Sequence, residues 1–162
     1  MLIQEEKWMQ FAISMAKIGE KKGEVPIGAI LVYKNKIISQ SWNSCISNND
    51  ASAHAEILVI KNGGKFLKNY RLLNTSLYVT HEPCLMCSSA IFHARIKKIV
   101  YGSYSFNKES LTNFLFFFKK KIKHHIKEII SGVLLYECSM LLKNFFKNIR
   151  KNKKHFKLLK LQ

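Results

Sequence analysis

Proline is scarce in this 162-residue chain, with two residues, and arginine is outnumbered by lysine three to twenty-four. With 48% apolar and 12% aromatic residues, that composition excludes a proline-rich linker or a disordered low-complexity chain and predicts a packed globule. Long apolar runs are missing too. Every run, Phe114 to Phe118 included, falls well short of the roughly 20 residues a bilayer-spanning helix needs, so no membrane partner is expected. The first twenty residues carry Glu5, Glu6 and Glu20 and lack an uninterrupted apolar stretch, which argues against a secretory leader and predicts a cytoplasmic protein. Cysteines number only four. Two of them lie three apart, and in a chain that is not secreted this favours metal or catalytic use over disulfides. The length suits one core, so residues 1–162 are expected to form a single domain.

Acidic residues are few as well, 10 against 27 bases, for a net charge of +17. Such an excess attracts polyanions. Residues 119–162 hold 13 of the bases and only two acids, so the basic character is concentrated in a helix and tail from about residue 133. A coding bias toward lysine, asparagine, isoleucine and phenylalanine would produce much of the same excess, so charge by itself does not establish nucleic-acid binding.

Hydrophobic spacing outlines the elements. Trp8, Phe11, Ala12 and Met15 repeat at helical period, and Gly19 and Gly23 close that helix. Ile27 to Tyr33 and Lys36 to Trp42 form a hairpin about Lys34-Asn35, followed by a polar loop over Asn43 to Asp50. Ser52 is placed to cap a helix over Ala53 to Lys61 that ends at Gly63-Gly64. A strand over Leu77 to Thr80, a helix from Pro83 through Cys84 to Arg95 and a strand over Ile96 to Tyr101 come next. Residues 103–125 show no clean period and read as a short helix plus loops. Ile126 to Ile130 reads as a last strand before a long helix from Val133 striped with Leu134, Leu135, Cys138, Leu141, Leu142, Phe145 and Phe146. Five strands interleaved with helices predict an α/β fold: a three-layer α/β/α arrangement around a central mixed five-stranded sheet.

Two short motifs carry the chemistry, His54-Ala55-Glu56 and Pro83-Cys84-Leu85-Met86-Cys87, each at an expected helix start. Cys84 and Cys87 lie one helical turn apart, so both sulfurs reach one ion, and the positive end of a helix favours thiolates. His54 supplies a third ligand as a neutral imidazole. Zinc suits mixed sulfur and nitrogen and prefers four ligands, which leaves one place for water. Two thiolates make the site formally neutral, and a nearby carboxylate can take a proton from the water. Glu56, two residues after His54, is that carboxylate. A closed structural zinc site, with Cys45, Cys138, His81 or His93 as fourth ligand, stays open as an alternative. A redox cysteine pair is a further alternative, although it gives His54 and Glu56 no role.

His-x-Glu followed by Pro-Cys-x-x-Cys is the pattern of zinc nucleobase deaminases. The likeness extends through Glu24-Val25-Pro26-Ile27-Gly28-Ala29, Trp42-Asn43, Asn69-Tyr70-Arg71-Leu72, Leu77-Tyr78-Val79-Thr80, Arg95-Ile96 and Tyr101-Gly102, over roughly residues 5 to 150. On these residues the chain resembles the bacterial tRNA-specific adenosine deaminases of the cytidine deaminase superfamily. The resemblance implies a cytidine deaminase-like fold, one Zn2+ per subunit, a homodimer, and conversion of the wobble adenosine in a tRNA anticodon stem-loop to inosine. It also implies that Asn43 hydrogen-bonds the flipped adenine and that Val25, Pro26, Ile27 and Ala55 line its pocket. Phe145, Phe146, Lys147, Arg150 and Lys151 near the chain's end are candidates for RNA contact, against a simpler reading in which the rings face the core and the cations face solvent.

The chain departs from the family after Gly102. Ser103-Tyr104-Ser105-Phe106-Asn107-Lys108-Glu109 replaces an Ala-Arg-Asp-like stretch, and His81 stands where an aliphatic residue is common. The zinc chemistry is untouched by these changes; they bear on RNA contact. Two other functions are compatible with the motifs: deamination of a free base or nucleoside (cytosine, cytidine or guanine type), and a non-catalytic, zinc-stabilised RNA-binding module.

Overall fold

The computed structural model describes residues 2–105, 111 and 125–159, with side chains placed for 3–105, 111 and 125–151. The chain runs α1 (Leu2–Lys21), β1 (Gly28–Tyr33), β2 (Lys36–Trp42), α2 (Cys45–Asn48), α3 (Ala55–Leu67), β3 (Thr75–His81), α4 (Leu85–His93), β4 (Lys98–Ser103), β5 (Glu128–Ser131) and α5 (Leu135–Leu159). The sheet order is β2-β1-β3-β4-β5, antiparallel between β2, β1 and β3 and parallel from β3 through β5. This is the expected mixed five-stranded sheet.

Strand alternation divides the core in two. Ala29, Leu31, Leu77, Val79, Ile99 and Tyr101 point to one face and pack under α3 and α4 with Ala55, Val59 and Ile91. Ile30, Val32, Tyr78 and Val100 point to the other, where Trp8, Met9 and Ala12 of α1 meet Val133 and Cys138 beside α5. Helices thus cover both faces, as the element order predicts. Gly28 explains how closely α1 lies on the sheet. A Cβ at that position would collide with the Ala12 carbonyl and the Ala16 amide nitrogen, so only glycine admits the contact.

The hairpin turn falls on Lys34-Asn35 as expected. Both residues adopt positive φ, 47° and 56°, the conformation that a two-residue turn needs to match strand twist. The expected α3 is corrected at both ends. Ser52 does not cap it, because its amide and hydroxyl both bond the Asp50 carboxylate. Nor do Gly63-Gly64 end it: the helix continues to Leu67 and stops at Lys68, whose φ of 51° directs its amide to the carbonyls of Gly64 and Lys65. Gly63 serves packing instead, lying where any Cβ would strike the Leu31 side chain. The loop over 43–50 contains one helical turn, α2. The helix expected from Cys84 to Arg95 is shorter, since Arg95 turns to φ 60° and delivers the chain into β4 two residues later than expected. Most of the 103–125 stretch lies outside the described residues.

Register places the site. Gly28 pairs with Trp42 and Ala29 with Val79, while His81 pairs with Ser103. The Gly28 amide also bonds Thr80 Oγ1 at 3.1 Å. The end of β2, the approach to β1 and the ends of β3 and β4 therefore share one edge of the sheet. Beyond the carboxyl ends of strands is where open α/β sheets place ligands.

Candidate active site

Both motif helices begin at this edge. His54 occupies the N-cap of α3 and Cys84 the N-cap of α4, each with extended backbone and neither using its side chain as a cap. The side chains are consequently free to turn toward one another. His54 Nδ1 lies 3.7 Å from Cys84 Sγ and 3.4 Å from Cys87 Sγ, and the three donor atoms all fall within 4.8 Å of one another. With zinc–sulfur bonds of about 2.3 Å and zinc–nitrogen bonds of about 2.0 Å, the edge of a tetrahedron is about 3.6 Å. Both nitrogen–sulfur distances match edges of such a tetrahedron, so the three donors are placed to share one zinc ion.

Among the described residues no fourth protein donor joins them. Cys45 Sγ faces Asn43 Oδ1 and the Ala51 carbonyl, and Cys138 is buried in the α1/α5 core. His81 is bonded to Ser103, and His93 is exposed at the end of α4. Among the described residues the closed structural site thus lacks a fourth ligand, which leaves one corner for a small molecule.

The sulfurs are poised for a cation. A hydrogen bond from Cys87 holds the Cys84 thiol down to about 4, with His54 adding to the effect, while giving that bond and being buried push Cys87 up. A divalent ion bound by the pair would displace the proton that Cys87 retains. Glu56, on the first turn of α3, is only 4% exposed. Burial raises its pKa, and its carboxyl is within hydrogen-bond reach of Cys87. A carboxyl that resists ionisation beside an open metal corner has the properties of a proton shuttle.

Asn43 is buried at the end of β2, and its amide bonds the Ile27 carbonyl. The neighbouring Ser44 amide bonds Ala53, which ties this loop to the residue before His54. Pro26 and Ala55 are buried, Val25 is half-buried and Ile27 packs partly into the core. These five residues share the sheet edge with the metal cluster. The α5 residues divide differently. Phe146 is 43% exposed and stacks edge-on with Phe145, while Lys147, Arg150 and Lys151 are exposed. Neither phenylalanine belongs to the buried core.

Sequence reasoning assigned no role to Glu24, although it lay within the motif-rich stretch. Its fully buried carboxylate accepts the Ser47 amide at 2.6 Å, the Ser47 hydroxyl at 2.7 Å, the Ile46 amide at 3.3 Å and Asn43 Nδ2 at 3.3 Å. An acid directly before Val25 and Pro26 was the available signal. Glu82 is a second such anchor, buried beside Cys84 and accepting the Ser105 amide at 3.0 Å.

Comparison with known proteins agrees with this geometry. Residues 2–103 match the model of the cytidine and deoxycytidylate deaminase zinc-binding region. The tRNA-specific adenosine deaminase of Haemophilus influenzae is 44% identical over 156 residues, covering 96% of this chain and 90% of the relative. The chain belongs to the tRNA-specific adenosine deaminase family of zinc-dependent deaminases. The enzyme of that name from Buchnera aphidicola subsp. Baizongia pistaciae is 50% identical over 152 residues, covering 91% of each chain. A solved structure from work on A-to-I editing by tRNA:A34 deaminases at the wobble position of transfer RNA superposes with a TM-score of 0.76 at 37% identity, covering 84% of this chain and 99% of the other.

The Glu24 cluster generates a pH prediction for this deaminase. Burial raises the carboxyl's pKa, but the bonds from Ser47, Ile46 and Asn43 outweigh it and leave the folded value below the ordinary one. The unfolded chain therefore binds the proton more readily, so the stabilisation is present above the ordinary carboxylate range and is lost as pH falls through the folded value. Glu24→Gln should destabilise the protein by about 1–3 kcal/mol at neutral pH, with the deficit shrinking in acid; urea midpoints at several pH values measure it.

Proposed function

We propose that this chain hydrolytically deaminates the wobble adenosine of a tRNA anticodon to inosine, and that residues 1–162 act together as one deaminase domain. The carrying observation is the three-donor cluster of His54, Cys84 and Cys87 with an open corner beside buried Glu56. Zinc bound there would supply a Lewis acid that makes water a better nucleophile at neutral pH.

The chain's own residues then do the following. Glu56 takes a proton from the attacking water and passes it to the ring nitrogen of adenine, then takes the second proton from the added hydroxyl and gives it to the departing amine, so that water and adenosine become inosine and ammonia. Asn43, with its side chain held by Glu24, orients the base edge, and Val25, Pro26, Ile27 and Ala55 wall the ring. An anticodon loop presents an unpaired base, which lowers the cost of extrusion. Exposed Lys147, Arg150 and Lys151 on α5 provide charge for RNA phosphates, and Phe145 and Phe146 provide rings nearby.

Ile46 on α2 and Leu85 and Met86, on the first turn of α4 between the two cysteine ligands, are exposed apolar side chains. They support association of two copies of the chain with the sites near the boundary. Among the described residues no helix is long and apolar enough to cross a membrane, and a tRNA substrate fits work in the cytoplasm.

Incubation of the zinc-loaded protein with an adenosine-wobble stem-loop, a cytidine RNA and free nucleosides separates the substrate classes. Inosine in the stem-loop alone supports the proposal; turnover confined to free nucleosides would replace it with a small-molecule deaminase. In the same assay Glu56→Gln should retain zinc and RNA binding but lose about 100-fold to 10,000-fold in turnover, whereas Cys84→Ser should lose the metal, read by elemental analysis. Full activity of the glutamine variant would remove the shuttle and favour a non-catalytic module.

Replacing Lys147, Arg150 and Lys151 together with alanine should weaken stem-loop binding and reduce the slope of log affinity against log salt by about 2, at roughly 0.7 for each phosphate no longer neutralised. An unchanged slope would make these cations a solvated face only. Sedimentation should give a dimer for the unaltered protein and a shift toward monomer for Leu85→Glu.

A further inference from the structure

Glu24 lies just before β1 and is fully buried, yet it belongs neither to the metal cluster nor to the proton shuttle. Its two oxygens are committed. Oε1 receives the Ser47 amide at 2.6 Å and the Ser47 hydroxyl at 2.7 Å, while Oε2 receives the Ile46 amide and Asn43 Nδ2, each at 3.3 Å. A backbone N–H only donates, so both oxygens act as acceptors. Burial raises the pKa of this carboxyl, but the bonds from Ser47, Ile46 and Asn43 outweigh it, and the group is ionised at neutral pH.

An ionised carboxylate has no proton to give. The Asn43 atom that faces it must therefore be the nitrogen, because Oδ1 in that place would set acceptor against acceptor. Shape alone would not decide this, since an amide turned by half a rotation fills nearly the same space. Oδ1 is consequently turned away from Glu24 and lies 3.6 Å from Cys45 Sγ. The backbone is fixed as well: the Asn43 amide bonds the Ile27 carbonyl, and the next amide, Ser44, bonds the Ala53 carbonyl one residue before His54. With one Nδ2 hydrogen given to Glu24, the other hydrogen and Oδ1 form an edge whose donor and acceptor cannot exchange places.

We propose that Glu24 is a positioning residue for deamination: without touching substrate, it locks the Asn43 amide with Nδ2 toward itself and so sets the order of donor and acceptor that aligns the target base. The inference rests on Asn43 contacting that base. It gives a buried charge outside the metal cluster a share in turnover that is separate from its share in stability.

A double-mutant cycle on the zinc-loaded protein with an adenosine-wobble stem-loop tests this, at a temperature where urea curves show every variant folded. Single-turnover rates with protein in excess keep the slow variants measurable. Glu24→Gln preserves size but brings an NH2 of its own, which allows the Asn43 amide to reverse. It should slow inosine formation by about fivefold to fiftyfold, the cost of a misdirected hydrogen bond, with zinc content unchanged. On an Asn43→Ala background the same change should cost less than about twofold, because no amide is left to direct. Ser47→Ala removes a bond from the same carboxylate without touching Asn43; it should lower the urea midpoint but keep the rate within about twofold of the parent. The unaltered protein offers a direct readout that does not depend on any variant folding. Its Asn43 Nδ2 hydrogens should show a nuclear Overhauser contact to the Ile46 amide hydrogen, because both donors sit on Oε2.

Equal losses from Glu24→Gln with and without the Asn43 side chain, a Ser47→Ala loss as large as that of Glu24→Gln, or no contact between the Asn43 and Ile46 hydrogens would overturn the assignment. If Asn43→Ala reacted as fast as the parent, Asn43 would not be a base contact and the inference would fall, while the tRNA reading stood. Absence of inosine with the unaltered protein would overturn the tRNA reading and this inference together.

Discussion

The meeting of two helix N-termini over one edge of the sheet is the constraint on which the rest of this molecule depends. α3 and α4 start where β1 begins and β3 ends, and the N-cap residues, His54 and Cys84, are freed from capping and turned inward. Amides at both helix starts bias the space between them toward negative charge, which favours thiolates and a carboxylate there. Separating the helices by one further residue of strand would break the cluster, because three donors within 4.8 Å tolerate little displacement.

Rigidity at that edge comes from buried polar groups more than from apolar packing. Glu24 gathers two amides, a hydroxyl and the Asn43 side chain and so sets the loop that carries Asn43. Glu82 holds Ser105, and Thr80 holds the Gly28 amide. Each group costs free energy to bury and is compensated only in the folded geometry, so these contacts specify one arrangement of the edge. Apolar packing defines the two faces. It leaves the edge to the hydrogen bonds.

The two faces have different roles. Under α3 and α4 the core supports the metal cluster, while on the opposite face α1 and α5 enclose Tyr78, Val100 and Cys138. α5 contributes beyond packing: Cys138 in its first turn is buried in the core, while Phe146, Arg150 and Lys151 further along are exposed. Its outer half carries aromatic and cationic side chains that line a groove with Ser103 and Tyr104 at the end of β4.

Much of this was legible in the sequence, because the signals were local. Period-2 strands, the Lys34-Asn35 turn and ligand spacing of three along a helix depend on residues a few positions apart, so the five strands and His54, Cys84, Cys87 and Glu56 could be named directly. Helix ends were less legible. Gly63-Gly64 looked like a stop but sits inside α3, since contact with Leu31 from another strand requires a small residue there. Glu24 was silent for the same reason: its partner Ser47 is 23 positions away and becomes a neighbour only in the folded chain. The sequence by itself determined which elements form and which atoms can hold zinc, because backbone periodicity and donor chemistry are local properties. Only the tertiary structure decided that the three donors converge beside a buried carboxyl, because burial and hydrogen-bond satisfaction depend on residues far apart in the chain.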